Sequence, residues 1–214
     1  MTTTTSPAQQ ERAELCDLFD EVGPDAPTLC GDWTTRDLAA HLVVRERRPD
    51  AAVGIVVSKA AGYTEKVQRD VAKQEWSKLV ETVRSGPPLW SPTKVPAIDR
   101  AANTIEFFVH HEDVRRASDG WEPRELGDEL DGALRSMLGR MAKRLVSSSP
   151  VGIVLEPDDD TGPIVAKDAE TSVTVRGPIG ELVLFVFGRQ AHSRVQLIGD
   201  DEAVEAVTTA SFGI

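Results

Sequence analysis

The chain has 214 residues, 40 % of them apolar and 28 % charged, ordinary globular usage that excludes a wholly disordered polypeptide. That length suits one large domain, or a domain with a smaller partner. A formal net charge of −11 excludes the broad basic surface that nucleic-acid binding needs, and no apolar run is long enough to span a membrane.

The opening MTTTTSPAQQ has no apolar core and reads as a frayed tail, not a signal peptide. A cytoplasmic protein is therefore expected. The two cysteines, Cys16 and Cys30, fit no zinc or redox spacing and are expected as free thiols.

From Ser6 to Val22 apolar residues recur at spacings of three and four, which predicts a helix. Gly and Pro break the pattern in GPDAPTLCGDW. A second helix starts in DWTTRDLAAHLVVRERR, where Thr34 can cap and Asp37 can answer it. Trp33, just before the cap, is expected to pack back on that helix. DAAVGIVVSKAAG is an apolar stretch read as helical. Tyr63 to Arg84 reads as one charged amphipathic helix, and SGPPLWSPTKVP as a proline-rich loop. The segments 51–61 and 86–96 are expected to shape a pocket.

Ala97 to Ser118 is predicted as a long helix, and Asp128 to Val146 as another with an apolar stripe. The texture then changes. VGIVLEP, SVTVRG and RVQLIG read as strands, DDDTGP as a turn, PIGELVLFVFGRQ as a buried helix and DDEAVEAVTTA as a last short helix. The chain thus divides near residue 148, into a helical bundle over 1–148 and a small α/β module over 149–214.

The histidines carry the functional signal. At 100° per residue, Glu106, His110 and Asp113 fall within about 60° of one another on the long helix, amid small apolar side chains. Burying them without partners would be costly. A metal ion, hydrogen bonds from other helices, or exposure of this face would each remove that cost. His41 lies on the second helix along the face of Leu38, Leu42 and Arg45. Two His and one carboxylate leave coordination positions open, as in catalytic zinc or non-haem iron sites. HHED is not a zincin motif, because the position four after His111 is Arg115. His111 points about 100° away from His110 and is expected at the surface or as a helix-face hydrogen bonder. His192 is expected exposed, and Arg115 and Arg116 are expected to solvate the helix end.

Three stretches together, DWTTRDLAAHLVVRE, IEFFVHHEDVRRA and VTVRGPIGELVLFVFGR, resemble the actinobacterial mycothiol-dependent maleylpyruvate isomerase family. That family belongs to the wider DinB-like metalloprotein superfamily. The likeness lies in W-T-x-x-D-x-x-x-H, E-x-x-x-H-x-x-D and G-x-x-x-E-L-x-x-x-x-x-G-R. It implies an α+β chain, a DinB-like four-helix bundle followed by a small sterol-carrier-like α/β domain. It implies a divalent metal on His41, Glu106 and His110, zinc first, with Fe, Ni or Mn also compatible. Asp113 matches an acid beside the metal. Arg189 matches an arginine turned toward the active site, able to pair with a carboxylate of substrate or cofactor; capping the preceding helix or pairing with Glu181 is the plainer alternative. Mycothiol is the implied thiol, a small electrophile the implied substrate, and a homodimer is compatible. A hydrolase on the same scaffold and a non-catalytic metal or ligand binder are the rival readings.

Overall fold

The computed structural model describes residues 6–51, 61–88, 91, 96–159 and 161–213, with the side chains of 61 and 96–102 left aside. The segments 51–61 and 86–96, expected to shape a pocket, fall largely outside the described residues.

Two compact units divide between Trp121 and Glu122. In the first, helix α1 (Pro7–Val22) starts on a capping box: Ser6 N–H donates to Gln9 Oε1 and Gln9 N–H to Ser6 Oγ. Helix α2 (Thr35–Arg47) starts where the Asp37 carboxylate accepts from both the N–H and the hydroxyl of Thr34, at 3.0 and 2.8 Å. The single helix expected over Tyr63–Arg84 is two, α3 (Ala61–Ala72) and α4 (Trp76–Arg84). Glu75 causes the break. Its carboxylate caps α4 by accepting from Ser77 and Lys78 N–H, each at 3.0 Å.

Helix α5 (Pro96–Arg115) opens with proline at its first position, where the missing N–H has no consequence. It packs along α1, while α4 packs on α1 and α2, and α3 on α2. Leu15, Phe19, Leu38, Leu42, Leu79, Val83 and Phe107 close the core between them. Trp76 meets Phe19 edge to face at 5.7 Å.

In the second unit helix α6 (Asp128–Leu145) is followed by strands β1 (Gly152–Pro157), β2 (Ile164–Lys167) and β3 (Ser172–Gly177). Helix α7 (Ile179–Val186), a 3₁₀ turn (Gln190–His192), strand β4 (Gln196–Ile198) and helix α8 (Asp201–Thr209) complete it. The sheet order is β2-β1-β3-β4, with β1 and β3 parallel and the other pairs antiparallel. All eight residues of α7 are buried, as a helix apolar on nearly every side requires, and its one charged residue, Glu181, is buried with a hydrogen-bond partner. Helix α6 packs on α7 and β2, so the compact units part at 121/122, upstream of the 148/149 boundary expected from texture. Strand β2 is an addition to the three expected strands; its four residues carry too little alternation to stand out in the sequence. The architecture is α+β, as expected.

Candidate metal centre

The first unit brings His41, from the middle of α2, against Glu106 and His110, one turn apart on α5. The two Nε2 atoms converge on a single oxygen. His41 Nε2 lies 3.3 Å and His110 Nε2 3.4 Å from Glu106 Oε1. The two imidazoles meet at 5.4 Å, near perpendicular. Trp33 packs 5.2 Å from the His41 ring, which makes it the packing anchor expected of a residue next to the α2 cap.

Both histidine contacts to Glu106 lie within hydrogen-bond reach, and their length also suits the ligands of one ion. An ion held about 2.0–2.2 Å from N and O ligands in tetrahedral geometry sets them about 3.3–3.6 Å apart. Charge-assisted N–H···O contacts close to about 2.7–2.9 Å. The His41–Glu106 and Glu106–His110 separations match the first range, and the ligand atoms of all three residues lie within 4.8 Å of one another. These side chains fit a divalent ion.

Two other groups of the same residue types are closed by hydrogen bonds. On the far side of the His110 ring, Nδ1–H donates to Asp113 Oδ2 at 2.9 Å, and the Cys30 thiol donates to the same oxygen at 3.1 Å. Asp113 is fully buried. It thereby holds the ring with Nε2 toward Glu106, the kind of outer hydrogen bond that orients metal-bound histidines. The other group joins His111 to Glu11 at 3.0 Å, with Glu14 at 4.0 Å. His111 is buried at 5 % exposure, the hydrogen-bonding alternative of its two expected places, because α1 packs over that face of α5.

Charge in the centre follows from these contacts. Burial pushes the Glu106 carboxyl up, but His110, His41 and the Arg45 guanidinium outweigh it and hold Glu106 well below the carboxylate range. Burial likewise disfavours the His110 imidazolium. Hydrogen bonds to Asp113, Cys30 and Glu106 reverse this and raise His110 well above its ordinary value. His41 is lowered, chiefly by burial.

Cys30 and Arg45 were not singled out as site residues by pattern reading. Cys30 lies in a turn with no periodicity to give it away, and the backbone places it: Leu29 N–H donates to the Asp113 carbonyl at 3.0 Å. Arg116, expected to solvate a helix end, is instead 3 % exposed. It pairs with Glu112 at 2.6 Å and lies over the Trp121 ring at 4.4 Å.

In the second unit Arg189 follows Gly188, whose φ is +85° and whose added Cβ would stand 2.7 Å from the Phe212 carbonyl oxygen. The G-R pair of the motif thus has a backbone reason for its glycine. Arg189 Nη1 donates to the Phe187 carbonyl at 2.6 Å, closing the end of α7. Glu181 accepts from the Arg194 N–H at 2.6 Å. His192 is half-buried, not exposed. Both cysteines are free, and among the described residues no helix is long and apolar enough to cross a membrane.

No family model and no curated protein matches the sequence. Among solved structures, a mycothiol-dependent maleylpyruvate isomerase shares 14 % identity over 91 % of each chain, with a TM-score of 0.63. A structure of a histidine-to-alanine mutant of such an isomerase shares 15 % identity over the same share of each chain, with a TM-score of 0.56. At this identity the likeness is one of fold, and the fold of this chain is that of the mycothiol-dependent maleylpyruvate isomerase.

Proposed function

We propose that this chain is a divalent-metal-dependent enzyme that uses a low-molecular-weight thiol, mycothiol first among candidates, to transfer to or isomerise a small electrophile. The observation that carries this reading is the convergence of two imidazole nitrogens on one Glu106 oxygen at 3.3 and 3.4 Å, while the neighbouring His110–Asp113 and His111–Glu11 contacts close to 2.9 and 3.0 Å. The isomerase fold supports the thiol.

His41 and His110 would hold the ion through Nε2, and Glu106 through Oε1. Zinc suits two imidazoles and a carboxylate; Fe, Ni and Mn remain chemically compatible. Bound there with an open position, such an ion favours a ligand thiol as its reactive thiolate. Asp113 accepts from His110 Nδ1–H and is sealed from solvent. Its part is to hold His110 in register, so it is a positioning residue and not an acid that itself takes the thiol proton. Trp33 backs the His41 ring. Arg189 closes the end of α7 through the Phe187 carbonyl, the plainer of the two parts expected of it.

Substitution of cobalt(II) into metal-free protein, followed by titration with a thiol, tests the reading. A sulfur-to-cobalt charge-transfer band that saturates with thiol, and is absent in His41→Ala, is expected. Metal binding without any thiol band, together with ester or amide turnover, would replace it with a hydrolase.

A further inference from the structure

Arg45 stands against the oxygen at the middle of the candidate centre. Its Nε lies 3.1 Å from Glu106 Oε1, the atom on which both histidines converge. An ion about 2.0–2.2 Å from that oxygen would lie no more than about 5.3 Å from Arg45 Nε. At an effective dielectric of about 20, a dication and a guanidinium so placed repel by roughly four to five orders of magnitude in binding constant. Solvent at the Arg45 side chain, which is 21 % exposed, reduces this. The orienting benefit of an outer hydrogen-bond partner is roughly tenfold to hundredfold. Repulsion is the larger effect.

An untethered guanidinium would swing into water as an ion entered. Arg45 is tethered. Its Nη1 donates to Asn103 Oδ1, and Asn103 is fully buried. Asn103 Nδ2 donates to Glu46 Oε1 at 3.0 Å. Arg12 grips Glu46 through both Nη atoms, donates to the Val83 carbonyl at 2.9 Å and lies 4.1 Å over the Phe107 ring. With an acceptor toward Arg45 and a donor toward Glu46, the Asn103 amide has one orientation that satisfies both partners. Asn103, Glu106 and Phe107 fall within one turn of α5, so the ligand and its tether share a helix face.

Building on the metal reading above, we infer that Arg45 is a charge-tuning residue. Held in place through Asn103, Glu46 and Arg12, it loosens the grip of His41, Glu106 and His110 on the cation. The extra positive charge it leaves beside the ion raises the centre's affinity for an anionic ligand such as a thiolate.

The test uses the full chain as wild type, Arg45→Met, Arg45→Lys and Asn103→Ala. Each is stripped of metal and titrated with zinc against a chelator; azide binding to the cobalt-loaded protein is then read by its visible spectrum. Arg45→Met is expected to bind zinc at least about tenfold tighter and azide at least about threefold weaker, whereas Arg45→Lys keeps the charge and stays within about threefold of wild type in both. Asn103→Ala, which releases Arg45, shifts in the same direction as Arg45→Met. If Arg45→Met does not fold, Arg45→Gln carries the same expectation. A wild-type chain that binds no metal would remove the metal reading itself. A wild type that binds metal, with an uncharged Arg45 variant binding it less than tenfold tighter, equally or more weakly, would overturn the charge-tuning role and make Arg45 an orienting partner.

Discussion

Asp113→Asn separates the positioning role of Asp113 from a proton-accepting one. The substitution keeps shape and volume in a fully buried pocket. It removes the charge that receives His110 Nδ1–H at 2.9 Å and the Cys30 thiol at 3.1 Å. A hydrogen bond to a charged acceptor is worth about 1.5–3 kcal/mol, a factor of roughly 10–150 in an equilibrium constant. Outer-shell partners of metal-bound histidines contribute a similar tenfold to hundredfold, so the two estimates agree. Chelator competition at fixed pH and salt should therefore show metal binding about 10–100-fold weaker in Asp113→Asn. Circular dichroism should show an unchanged fold. Unaltered metal affinity combined with lost turnover would refute this reasoning, because a residue that only accepts a proton need not affect the resting metal.

Three further outcomes are expected. Burial pushes the Cys16 thiol up to about 12, so iodoacetamide at pH 8 should label Cys30 in the native protein and both cysteines only in denaturant, as peptide mapping will show; native labelling at Cys16 would contradict its packing. Arg12→Met leaves Glu46 as a buried unpaired charge and should cost about 3–5 kcal/mol in urea unfolding, most of it recovered in the double variant with Glu46→Leu; equal losses in the single and double variants would mean that the pair is not coupled. In metal-free protein the His110 pKa is raised on folding, so its stabilising contribution is complete below the unfolded value of about 6.5 and is lost as pH rises through the folded one. His41 is lowered, so its contribution is lost as pH falls below about 6.5. Stability of the stripped protein should then peak near the unfolded value of about 6.5 and fall as pH rises above it, with the alkaline limb flattened in His110→Gln; an identical alkaline limb in that variant would dismiss the assignment.

Local signals carried most of the fold. Ser6 with Gln9 and Thr34 with Asp37 are short-range hydrogen-bonding devices, and they mark helix starts where the structure has them. Alternating β-branched residues likewise marked β1, β3 and β4. What escaped depended on partners distant in sequence or on one competing side chain. Glu75 ends one helical pattern and begins another without any glycine or proline to announce it. The helical face of His111 reads as polar until α1 brings Glu11 over it. Helix α6 has an ordinary apolar stripe, and periodicity does not say which unit the stripe will cover. The site shows the same division. Glu106, His110 and Asp113 share one helix and one face, so their association is visible in spacing alone, and His41 stands out on the Leu38–Leu42 face of its own helix. Cys30 and the Arg12–Glu46–Asn103–Arg45 chain are assembled only by tertiary contact, and nothing in their local spacing marks them.

The central claim is that His41, Glu106 and His110 hold a divalent ion. Elemental analysis of tag-free protein, wild type beside His110→Ala, tests it most directly. About one zinc or related ion per chain in the wild type, lost in the variant, is the predicted result. A wild type without metal after reconstitution, or a His110→Ala protein that retains its full complement, would contradict the account.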